Sequence, residues 1–112
     1  GFLNFGIERN PKLIKDIKVY YTGSSGNMVF NISDFEGTIN KNFTIDLSVD
    51  PATSTIDDYV GTLNDKVFII RPSVTEDSLV SEWFRYKITE AGINPWVVKR
   101  IVTRYTVQNV SD

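Results

Sequence analysis

At 112 residues the chain has the size of one domain, and 41% hydrophobic with 12% aromatic residues is enough apolar material for one core. A formal net charge of -2 and a pI near 5.1 exclude a general electrostatic attraction to nucleic acid or to anionic membranes. With no cysteine and no histidine, disulfide frameworks, thiol nucleophiles, His-dependent triads and thiolate or imidazole metal sites are ruled out. Val67-Phe68-Ile69-Ile70 is among the longest apolar runs, far below the roughly 20 residues that span a bilayer, so no membrane partner is expected.

The chain starts at Gly rather than Met, and no charged-then-apolar leader stands before its first pattern. Residues 1–11 read as an N-terminal arm, and 1–112 as a single β-sandwich domain, a module of a longer chain. Next, Ile17, Val19 and Tyr21 alternate with Asp16, Lys18 and Tyr20, which predicts a strand over 15–21. A helix capped at Asn10-Pro11, with Leu13, Ile14, Ile17 and Tyr21 near one face, competes with it. The β-branched and aromatic content of 17–21 favours the strand.

Thr22-Gly23-Ser24-Ser25-Gly26-Asn27 is a turn signal that reads as a hairpin. Met28 to Ile32 alternates, Ser33 to Gly37 supplies turn residues, and Phe43 to Ser48 alternates without a fault, which predicts a second hairpin. Val67 to Ile70 reads as a strand buried on both faces and closed by Pro72, followed by a polar loop, Ser73 to Ser78. Phe84, Tyr86 and Ile88 alternate with Trp83, Arg85 and Lys87. After the turn Ala91 to Pro95, Val97, Ile101, Thr103 and Tyr105 take the parity opposite to Val98, Arg100, Val102 and Arg104. Six to seven short strands without a helix predict an all-β fold, an antiparallel, jelly-roll-like β-sandwich.

Catalytic chemistry finds little material here, and no enzyme is expected. Asp57-Asp58 and Glu76-Asp77 are adjacent carboxylates, but neighbours on an extended chain point in opposite directions and do not form a dyad. The spacing of a calcium loop is absent, with Asp34, Glu36 and Gly37 the nearest approach to one. Gly23 to Gly26 lacks the following lysine and helix of a phosphate loop. Three glycosylation acceptor patterns start at Asn31, Asn42 and Asn109, about the number that chance supplies in so polar a chain. No cofactor and no metal is expected.

Two surface features remain. Arg85 and Lys87 share an outward parity, and Lys99, Arg100 and Arg104 lie on the last segment, so a paired hairpin would gather a basic patch able to meet phosphate or an acidic neighbour. Trp83 and Trp96 flank the same hairpin, and Tyr20 has outward parity on the early strand, the residue types that anchor proteins and sugars.

The order of these elements also resembles the C-terminal β-sandwich portion of tail nozzle, or DNA-stabilisation, proteins of short-tailed bacteriophages. The resemblance spans Lys12 to Val107 and lies in Lys15-Asp16-Ile17-Lys18-Val19-Tyr20-Tyr21-Thr22-Gly23, Phe30-Asn31-Ile32, Phe43-Thr44-Ile45, Trp83-Phe84-Arg85-Tyr86-Lys87-Ile88 and Val98-Lys99-Arg100-Ile101-Val102-Thr103-Arg104-Tyr105. It implies a virion structural protein, without catalysis, that forms a ring around the DNA channel. Its expected partners are copies of itself and other tail or portal-adaptor proteins, with non-specific contact to DNA phosphates. A carbohydrate-binding β-sandwich module is the alternative, on the strength of Trp83, Trp96 and the tyrosines.

Overall fold

In the computed structural model, which describes the backbone of Phe2–Leu3 and residues 10–72, 79–90 and 97–108, the alternating segments form strands and no α-helix appears among the described residues. The strands are β1 (Phe2–Leu3), β2 (Lys12–Tyr21), β3 (Asn27–Asp34), β4 (Asn40–Asp46), β5 (Tyr59–Gly61), β6 (Lys66–Ile70), β7 (Val80–Ser81), β8 (Phe84–Glu90) and β9 (Val98–Val107). β1 and β7 are two-residue bridges, which leaves seven longer strands.

One sheet has the order β1-β8-β3-β4 and the other contains β5-β6-β2 with β7 and β9 also on β2; every pairing is antiparallel. The chain is an antiparallel β-sandwich. The nesting of β2 with β9 and of β3 with β8, first long strand with last and second with penultimate, is its jelly-roll-like feature.

β2 is the spine of its sheet. One edge carries β9 along Lys12 to Tyr21, while the other is shared, β7 taking Lys12–Leu13 and β6 taking Ile17 to Tyr21. Between them the Ile14 N–H donates to Leu79 O at 2.9 Å, so the gap in the ladder is closed. A register shift between Ile14 and Asp16 marks a β-bulge at Lys15. The extra residue changes the parity of burial, from Lys12 and Ile14 before it to Ile17, Val19 and Tyr21 after it, so that both halves aim at the core.

The core lies between the sheets. Ile14, Ile17, Val19, Tyr21, Phe68 and Ile70 from one side meet Met28, Phe30, Ile32, Ile45 and Phe84 from the other, and Leu47 and Leu79 fill the space between strands. Burying each such side chain contributes about 1.5–3 kcal/mol of transfer free energy. The ring of Phe30 lies 5.2 Å from that of Tyr86, and Tyr59 meets Phe68 edge-on at 5.0 Å.

Polar ties join the two sheets where apolar packing ends. Lys66, at 2% exposure, donates from Nζ to Gly23 O at 2.6 Å and to Leu47 O at 2.7 Å, so one ammonium holds the β2–β3 and β4–β5 connections together. Its charge is buried at the cost of desolvation, which these charge-assisted bonds offset. The Asp46 N–H donates to the Tyr59 hydroxyl at 2.9 Å, and the hydroxyls of Tyr86 and Thr103 meet at 2.7 Å across the sandwich. Lys12 is also fully buried, with Nζ donating to the Glu82 carbonyl at 3.0 Å.

The strand reading of 15–21 holds, and the competing helix is overturned: Leu13 pairs with Thr106 and Val80 instead of sharing a helical face with Tyr21. The hairpin of 28–32 with 43–48 is present as β3 and β4, which pair from Asn27↔Asp46 to Ser33↔Asn40, but β4 ends at Asp46 and Leu47–Ser48 already turn away. Thr22 to Asn27, by contrast, is not a hairpin turn, because β2 and β3 belong to different sheets. Gly23 and Gly26 have φ of 137° and 91° and carry the chain from one sheet to the other. A Cβ on Gly23 would lie 3.3 Å from Leu47 Cδ1, in the same corner that Lys66 closes.

Tyr21 contrasts with Lys66: its hydroxyl is buried with no hydrogen-bond partner among the described residues. Tyr21→Phe is therefore expected to raise stability by about 1 kcal/mol, whereas Lys66→Met, which orphans two carbonyls, should lower it by roughly 2–4 kcal/mol. Urea unfolding of the two variants checks this; a destabilised Tyr21→Phe would mean that the hydroxyl is bonded after all.

Candidate assembly surface

Cross-strand pairing builds the outer face of the β2 sheet row by row. Asp16 pairs with Arg104, Lys18 lies between Val102 and Ile69, and Tyr20 lies between Arg100 and Val67. The Arg104 guanidinium reaches Asp16 at 2.6 Å while its side chain stays 73% exposed. Arg100 lies over the Tyr20 ring at 4.2 Å from its centroid, a cation–π contact that holds the guanidinium to the sheet. Asp16, Lys18, Ile69, Arg71, Val102 and Arg104 line a shallow depression of about 320 Å³. Arg71 is 3.9 Å from Asp58, a long and exposed pair that contributes little to stability. Cations thus outnumber carboxylates around an apolar strip in which Val102 is 41% exposed.

A second register shift, between Tyr20 and Tyr21, places an extra residue, Lys99, on β9. It leaves Lys99 and Arg100 both exposed and turns Val98 inward against the core, against the sequence expectation for Val98. Ile101 and Tyr105 pack on the core, as their parity predicts.

β9 is also an edge. Among the described residues it pairs with β2 alone. In an antiparallel ladder alternate residues aim their N–H and C=O groups at the partner strand. The Gln108 N–H donates to Pro11 O at 2.8 Å, which fixes the phase: Val102 and Arg104 bond inward to β2, and the main chain of Ile101 and Thr103 faces outward. No proline interrupts Val98–Val107. Natural edges of this length are normally covered, charged or bulged, and this one carries both a bulge and basic side chains.

The hairpin expected to gather the basic residues does not form. β8 pairs with β3 and β1, while β9 pairs with β2 in the opposite sheet. Arg85 and Lys87 consequently lie on the outer face of the other sheet, in register with Ser33 and Asn31, away from Arg100 and Arg104. The non-local choice of partner strand decided this, and no local signal carries it. Lys18, Arg71 and Val102 were not among the sequence candidates; the parity of 16–20 opposite the even positions of β9 was the signal available for Lys18 and Val102.

Trp83 is half-buried in a cleft of about 690 Å³ at one end of the sandwich, with Pro11, Phe35, Ile39, Asp34, Glu36 and Glu82 among its lining. Trp96 lies outside the described residues, as do Glu76, Asp77 and Asn109. Tyr20 is covered by Arg100. Asp34 organises the β3–β4 turn: its Oδ1 accepts from the Ile39 N–H at 3.0 Å, and its carbonyl from the Gly37 N–H at 3.4 Å. Asp57 and Asp58 are exposed on the approach to β5. Asn31 and Asn42 face each other across β3 and β4, with Asn31 Nδ2 donating to Asn42 Oδ1 at 2.8 Å. No group of acidic side chains that could hold a metal ion occurs among the described residues.

Beneath the β9 face, burial pushes Tyr86 up to about 12, against the smaller opposing effect of its bond to Thr103. Burial first, then the nearby Tyr59 and Asp46, pushes Tyr21 up as well. Asp46 is held below the ordinary carboxylate range by bonds from the Ser48 hydroxyl and N–H, and more weakly by Lys66. A raised tyrosine value leaves stability fully present below the unfolded tyrosine pKa of about 10, and that stability is lost as pH rises from there through the higher folded value. Denaturant unfolding at rising alkaline pH should show the loss, and Tyr86→Phe should flatten the slope. Tyrosinate absorbance that titrates to completion near the ordinary value in the folded chain would contradict this.

Searches against known protein families, curated proteins and solved structures find no match to this chain, so the geometry of this surface and the resemblance in its strands are what a functional reading rests on.

Proposed function

We propose that the chain is a non-catalytic structural module of a phage tail or neck, positioned in the virion and joined to neighbouring subunits around the DNA channel through the edge of β9. The observation that carries the assembly part of this reading is that edge: ten residues without proline, paired on one side among the described residues, with the main chain of Ile101 and Thr103 turned outward. Strand addition to such an edge is a common route to protein assembly. The phage context is supported by the resemblance, whose quoted segments lie on β2, β3, β4, β8 and β9 and the residues flanking them. The basic outer face suits an acidic neighbour or DNA phosphates.

Sedimentation of the chain alone, and mixed with portal-adaptor and tail proteins, tests the reading. Association into a mixed complex with those proteins is expected. Thr103→Pro should abolish it by removing an outward N–H, whereas Thr103→Val, which loses only the hydroxyl bond to Tyr86, should preserve it. A chain that stays monomeric at high concentration and binds no virion protein would overturn the proposal.

A second reading, a carbohydrate-binding module, is favoured by the end cleft, where Trp83 and Phe35 accompany Asp34, Glu36 and Glu82. Aromatic faces with carboxylates nearby suit sugar rings and hydroxyls. A change in tryptophan fluorescence on adding oligosaccharides, lost in Trp83→Ala, is the outcome this reading expects; no change removes it.

A further inference from the structure

We infer that the strand received by β9 is an extended acidic segment of a different protein, with carboxylates flanking an apolar residue at alternate positions. The inference rests on the β9 edge as an assembly site and names what completes it.

The outer face of β9 presents Arg100, Val102 and Arg104 in a row, each two residues from the next. A strand added beside β9 continues the sheet, and its outer-face side chains stand about 4.5–5.5 Å from these three. Opposite charges in such directly facing positions stabilise the pair and like charges oppose it, so the complementary row reads acid, apolar, acid. Both guanidiniums are already placed: Arg104 by Asp16 at 2.6 Å and Arg100 by the Tyr20 ring at 4.2 Å. Little side-chain freedom remains to be lost on binding. Val102, exposed between them, gives the apolar member of the row its contact.

A second copy of β9 does not fit. In an antiparallel pair centred on Val102, Arg100 of each copy faces Arg104 of the other, a like-charge contact on both sides; centred on Ile101 or Thr103, an arginine faces Val102 instead, and in no register does β9, which has no carboxylate, supply an acid. Nor does another segment of this chain supply the row. The carboxylates spaced four apart are Asp46 and Asp50, and Ser48 stands between them where an apolar residue is needed. The partner is therefore another chain.

The probe is a fluorescent synthetic peptide that alternates threonine with glutamate, valine and glutamate. A matched peptide with lysine for each glutamate and a short single-stranded DNA serve as comparisons, all at low and moderate salt. The acidic peptide should bind, and binding should weaken at least about tenfold in the double variant Arg100→Glu, Arg104→Glu. Thr103→Pro should abolish it while Thr103→Val keeps it. Equal binding of the lysine peptide, or binding untouched by the arginine reversals, overturns the inference. DNA binding that survives Thr103→Pro, with no peptide binding, overturns it as well and marks a polyanion surface. If the peptide fails while the chain still assembles with virion proteins in a Thr103→Pro-sensitive manner, the acidic-strand inference falls and the assembly reading stands. If both fail, both fall.

Discussion

The structure depends on β2 satisfying ten residues of main chain on two edges at once. A strand in that position must keep one face apolar throughout, yet Lys12 to Tyr21 does not alternate in a single phase. The bulge at Lys15 resolves the conflict by inserting one residue, so that Ile14 and Ile17 both point into the core. Everything on the outer face inherits that shift. Asp16 meets Arg104, Lys18 meets Val102 and Tyr20 meets Arg100 because the register beyond the bulge is the one that buries Ile17, Val19 and Tyr21.

The same spine explains how the sheets are closed. β6 and β7 divide one edge of β2, and Lys66 at the start of β6 reaches the carbonyls of both crossing loops. β9 takes the other edge along its whole length and, among the described residues, keeps an unpaired outward side. That side is where the fold can grow without disturbing its core, since Ile101 and Tyr105 are anchored inward and Arg100 and Arg104 outward. The basic side chains protect the edge from pairing with itself while admitting a strand of opposite charge. On the proposed reading, assembly and self-restraint come from the same residues.

Much of this was legible from residue order. The parity of 17–21, the 28–32 with 43–48 hairpin and the alternation of 84–88 and 101–105 are local patterns, and they reappear as β2, β3 with β4, β8 and β9. The bulges at Lys15 and Lys99 were not, since neither carries a glycine or another local mark. Which strands share a sheet was not legible either. Adjacency in sequence suggested that β8 and β9 pair, whereas packing placed them in opposite sheets and divided the expected basic patch. Nor does residue order mark Lys12 and Lys66 as buried, since the carbonyls that receive their ammonium groups, at Glu82, Gly23 and Leu47, lie far along the chain. Arg100 and Arg104 kept their place as candidates because outward parity on a long strand survives either pairing.

The central claim is that β9 is anchored on β2 along one side and, among the described residues, unpaired along the other. Residue-resolved amide hydrogen exchange of the isolated chain tests it most directly. The amides of Val102 and Arg104, bonded to β2, should exchange slowly, while those of Ile101 and Thr103 exchange fast and become protected on assembly. Four amides equally protected in the isolated chain would contradict the account, because the edge would then already be covered.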